Sequence, residues 1–98
     1  MRARPGKPMA INREAAEALG VDALVFLAAD ADRLDRFLAL TGLAPGDLRA
    51  LSTSPGFLTG VLDHLMADER LLLTFAEEHR LDPTTIARAS ALLGGGHD

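Results

Sequence analysis

The sequence predicts an all-α fold, a compact domain of six helices arranged as two tandem three-helix units. Three observations predict it. Apolar residues recur at steps of three and four, and no segment shows the period-two alternation of a strand. Helix caps and stops punctuate the chain at intervals that suit short helices. The stretch Leu62 to Pro83 also repeats Leu24 to Pro45 without a gap, at a constant offset of 38. Leu24 falls on Leu62, Asp30 on Asp68, Leu34 on Leu72, Phe37 on Phe75 and Pro45 on Pro83. Leu and Ala matches are cheap in this composition, but the Asp, Phe and Pro matches keep their spacing as well. A self-match at fixed period reads as a duplicated supersecondary unit. The expected domain spans residues 11–94, with units 12–52 and 54–94 between a disordered basic tail, 1–10, and a flexible end, 95–98.

In chain order, Asn12 is suited to cap the first helix, with Glu14 and Glu17 near its positive end. Ala16, Leu19, Ala23, Phe26 and Leu27 form one face, and Gly20 within that face would allow close helix contact. Asp30 ends this helix and caps the next, accepting from the N–H groups of Asp32 or Arg33. The second helix turns Leu34, Phe37 and Leu38 inward, with Arg33 and Arg36 pointing elsewhere. Gly42 suits its left-handed C-terminus. Pro45 is expected in the first turn of a short third helix, Asp47 to Leu51.

Ser54 before Pro55 starts the fourth helix, whose stripe is Phe57, Leu58, Val61, Leu62, Leu65 and Met66. Asp68 repeats the role of Asp30, and the fifth helix runs from Glu69 to about His79. Asp82 caps the sixth, carried by Ile86, Ala89, Leu92 and Leu93 and stopped at Gly94.

The bulk numbers exclude several classes. Ninety-eight residues make at most one domain, with a thin core. There is no cysteine, which rules out disulfides and thiolate metal sites. Mean hydropathy of +0.13 leaves apolar surface over for a partner. Net charge is −4, unevenly spread. Arg2, Arg4, Lys7 and Arg13 precede any acid, and the rest of the chain holds six Lys or Arg against all fourteen acids. An acidic body opposes phosphate binding. No apolar run reaches the roughly 18 residues of a membrane span. The basic N-terminus lacks the apolar stretch of a secretory signal, and the expected location is the cytoplasm.

Chemistry fares poorly against simpler readings. His64 and Asp68 have the i, i+4 spacing of metal ligands, but Asp68 is already a cap. His64 aligns with Phe26, which reads as a half-buried histidine with one hydrogen-bond partner. Asp63 and His64 approach a catalytic triad only if Ser52 or Ser54 joins them, and capping already accounts for those serines. No phosphate-binding glycine loop is present. The helices after Pro45 and Pro83 offer Arg49 and Arg88 alone to a DNA groove. No catalytic residue, metal ligand or cofactor is assigned.

The informative anomaly is the run Leu71-Leu72-Leu73. Leu71 and Leu73 align with Arg33 and Asp35 of the first unit, and Leu40 aligns conversely with Glu78. Three consecutive leucines circle most of a helix, more than one buried face requires. Either helix five is central and all three are core, or one of them belongs to an interaction surface with Leu40 and Met66. Leu72 follows the inward Leu34. Leu71 lies four residues before Phe75 and is expected inside. Leu73 points toward Glu77 and Arg80 and is expected to be the exposed one.

The stretch Ala16 to Leu81 also carries a resemblance. The AEAL start, the FLAAD step, RFLALTG, the LRA helix, the P-x-FL-x-x-VLD segment, the LLLxF run and the ending Ala87 to Leu93 resemble a family of short alphaproteobacterial proteins, domain-of-unknown-function family 3572. The similarity covers about two thirds of the chain. It implies no activity, cofactor or catalytic residue, and by gene neighbourhood it implies a link to signalling.

Together these readings predict a small cytoplasmic protein-interaction or regulatory protein without catalytic chemistry, binding a protein partner or a second copy of itself through Leu73, Leu71, Leu40 and Met66. The competing reading is a nucleic-acid-associated regulator acting through the basic N-terminal tail.

Overall fold

Six helices follow one another in a computed structural model that describes residues 11–94. They are α1 (Arg13–Ala28), α2 (Ala31–Thr41), α3 (Asp47–Leu51), α4 (Pro55–Met66), α5 (Glu69–His79) and α6 (Pro83–Gly94). No strand occurs among the described residues. The tail and the C-terminal end expected from the sequence lie outside them.

Local chemistry sets the boundaries. The Asn12 side chain accepts from Ala15 N–H at 2.7 Å. Asp30 accepts from Asp32 and Arg33 N–H at 2.9 and 3.1 Å. Ser54 accepts from Phe57 N–H, Asp68 from Leu71 N–H and Asp82 from Thr84 N–H. Each cap satisfies an N–H that the first helical turn leaves free. Gly42 closes α2 at φ 77°, where a glycine has no Cβ to clash. The same place in α5 is held by Arg80 at φ 56°, a left-handed position that costs a side-chain-bearing residue some strain.

Pro45 departs from expectation. It sits in a turn ahead of α3 rather than in its first turn, because Asp47 reaches back: its carboxylate accepts from Ala44 N–H at 3.0 Å, and its own N–H donates to Ala44 C=O at 2.9 Å.

The core is a three-helix packing of α1, α4 and α6. Ala16, Ala23 and Leu27 of α1, Leu58, Val61, Leu62 and Leu65 of α4, and Ile86 and Ala89 of α6 are almost wholly removed from solvent. Gly20 makes the α1–α4 approach possible. A Cβ built there would stand 2.9 Å from Leu58 Cβ, inside van der Waals contact. At the polar edge, Ser90 of α6 donates to the Asp63 carboxylate of α4 at 2.6 Å, and the Arg13 guanidinium donates to Leu92 C=O at 3.0 Å.

Helices α2 and α5 lie outside this trio, and each buries a phenylalanine against it. Phe37 is buried with its ring edge-on to His64 of α4, centroids 5.0 Å apart. Phe75 is buried edge-on to Phe26 of α1 at 5.2 Å. These two contacts exchange under the sequence offset: position 26 corresponds to 64, and 37 to 75. Gly20 likewise meets Leu58, its own counterpart. The correspondence stops at the third helix. Helix α3 has five residues and packs little on the rest, whereas α6 has twelve and packs on both α1 and α4. The central helix is therefore α6, and α5, the other candidate for that place, is peripheral.

Candidate functional site

Two surface features involve α5, one on each side of it. The first is a recess of about 150 Å³ where the start of α2, the end of α4 and the start of α5 converge, lined by Asp32, Arg33, Arg36, His64, Asp68 and Leu71. Two of its charges are already engaged by the protein. Asp68 caps α5. Arg33 does not point away from the core as expected; its guanidinium lies over the Phe26 ring, 4.2 Å from the centroid, where the ring face attracts a cation.

His64 departs from its expected hydrogen bond too. Its ring packs against Phe37 instead, and among the described residues it forms no hydrogen bond. Burial lowers its pKa from the usual histidine value, the Arg36 charge lowers it further, and Asp68 opposes both. The imidazole is thus favoured in its neutral form. Asp63 pairs with Ser90, while Ser52 donates to Arg49 C=O and Ser54 caps α4. The residues that could have formed a triad are thereby dispersed. Among the described residues, no three His, Asp or Glu side chains gather as metal ligands would.

The second feature is the solvent face of α5. An open groove there is lined by Glu69, Arg70, Leu73, Thr74 and Glu77. Leu73 is 48 % exposed, whereas Leu71 and Leu72 are half-buried against the core. The periodicity explains the split. Leu71 lies one turn before the buried Phe75, and Leu73 stands between Glu69 and Glu77 at i±4. The other expected interaction residues are scattered. Leu40, 69 % exposed, is on α2; Met66 is half-buried at the end of α4; Leu71 faces the recess rather than the groove. The α5 groove therefore has one apolar side chain, Leu73, among polar neighbours.

The family model described as protein of unknown function, DUF3572, matches residues 13–96. The chain belongs to that family. All six helices of this DUF3572 chain fall inside the match. No curated protein and no solved structure matches it. Among its described residues, no helix is long and apolar enough to cross a membrane. The DUF3572 chain also exposes Val25 and, less so, Val21 on α1. Sequence reasoning passed over both. Their signal was present: they lie one turn apart, off the Ala16, Leu19, Ala23, Leu27 stripe.

Proposed function

We propose that this chain is a small cytoplasmic protein-interaction and regulatory module, without catalytic chemistry, and that its contact surface is the solvent face of α5 centred on Leu73. One observation carries the reading: a large apolar side chain, 48 % exposed, stands in a groove whose other walls are polar. An apolar anchor ringed by polar residues is the usual anatomy of a small contact site. The aligned position in α2 is Asp35, a residue type that a solvent face accepts readily. A signalling context accords with such a module.

The test is Leu73→Asp, which copies Asp35. The expected outcome is unchanged helical content by circular dichroism with loss of binding, whether to a protein captured from extract or to a second copy. Undiminished binding of every partner by the folded variant would move the contact surface elsewhere.

A further inference from the structure

We propose that the occupant of the α5 face is a second copy of this chain, its α5 lying antiparallel to the first about a two-fold axis at Leu73. The proposal rests on the preceding reading that α5 is the contact surface and adds what covers it.

The argument is charge complementarity. Around Leu73 stand Glu69, Arg70, Glu77 and, just past the helix end, Arg80, all exposed. Two acids and two bases make a face of zero net charge. A face of one sign would select a partner of the other; this one complements itself, as an isologous interface requires. Side chains advance by about 100° per residue. With Leu73 in front, Arg70 and Glu77 therefore share one flank, with Glu69 on the other. A two-fold that reverses the helix keeps each flank and inverts height along the axis. Glu77, one turn after Leu73, then faces Arg70 of the second copy, one turn before it. That pair occurs twice, and the two leucines meet at the axis. Antiparallel helices also align their macrodipoles favourably, which parallel ones do not.

A contact centred on one helix of eleven residues is small. It belongs with weak, exchanging complexes rather than permanent dimers. The dimer is expected to appear at micromolar or higher concentration and to weaken with salt.

The experiment is sedimentation velocity on the full chain from micromolar to millimolar concentration, with four proteins: native, Leu73→Asp, Glu77→Arg, and Glu77→Arg combined with Arg70→Glu. Native chain should associate, and Leu73→Asp should not. Glu77→Arg sets like charges together twice, weakening association roughly tenfold. The double variant restores opposite charges and should return to within a few-fold of native. Absence of native association across the range would overturn the proposal. So would a double variant no better than Glu77→Arg, or association that survives Leu73→Asp. A native chain that stays monomeric, yet loses a heterologous partner on Leu73→Asp, would overturn self-pairing and leave the α5 contact surface standing.

Discussion

The α1–α2 joint and the α4–α5 joint are built alike, while the helices that follow them are not. Asp30 adopts φ −131° and ψ 121°, and Asp68 φ −128° and ψ 104°. Ala29 and Ala67 before them are both right-handed, and their N–H groups donate to Val25 and Asp63 C=O at the same 2.9 Å. Eleven-residue helices follow in both places. Beyond these, α3 is a short turn of helix at the margin and α6 is central. The joint is local chemistry, one carboxylate and one alanine, and it is the same at both places. The place of the third helix depends on what it meets at long range. Five residues of α3, none of them fully buried, cannot fill the space that Ile86, Ala89 and Leu93 fill.

The largest effects should come from the two phenylalanines that the peripheral helices bury. Phe37→Ala and Phe75→Ala are each expected to cost about 3–5 kcal/mol in urea unfolding. A cost at Phe37 less than half that at Phe75 would show that the exchanged contacts, one on His64 and one on Phe26, are unequal in energy.

Glycines come next, and they should differ in sign. Gly20→Ala drives a methyl against Leu58 Cβ, and its expected cost is about 1–3 kcal/mol. Gly60 is exposed inside α4, and a methyl added there would meet nothing within 4 Å. Gly60→Ala should therefore stabilise by about 1 kcal/mol. A raised thermal midpoint for Gly20→Ala would refute the close α1–α4 approach.

The caps sharpen the comparison further. Asp30 holds two N–H groups and Asp68 one. Both substitutions to Ala should lose on the order of 1 kcal/mol, Asp30 the more. Equal losses would mean that the second bond at Asp30 adds nothing.

The smallest effect is a pH dependence. The lowered pKa of His64 means that the folded chain holds that proton less tightly than the unfolded chain, whose value is near 6.5. Its contribution to stability is complete above that value and is lost as pH falls through it, levelling off below the folded value. His64→Phe, which copies Phe26, should flatten this part of a stability profile taken between neutral and mildly acidic pH. An unchanged slope would assign the dependence to other groups.

What was legible in the sequence follows the same division. Asn12, Asp30, Ser54, Asp68 and Asp82 announce their helices because a cap acts within a few residues of itself. Leu73 was legible by contrast, since Leu71 and Leu72 already use the inward faces of α5. Arg33 was misjudged because its charge suggested water, while its long stem lets the guanidinium cover Phe26 and stay partly solvated. Pro45 was misplaced because the pull of Asp47 on Ala44 outweighs proline's preference for a first turn. The primacy of α6 over α5 could not be read locally. The leucine-rich α5 is the more conspicuous of the two, and only the groove along α1 and α4 decides in favour of α6, whose Ile86, Ala89 and Leu93 pack into it.

That decision also orders events during synthesis. Leu58, Val61 and Leu62 leave the ribosome with α1 already present and nothing yet to lay across them. The segment that covers them, α6, is made only after α5 and the turn beyond it. Until α6 has emerged, the apolar residues that it covers in the fold lack that cover, and exposed apolar surface of this kind is what chaperones attend and neighbouring chains can stick to. The core therefore cannot close until α6, near the end of the described chain, has been made.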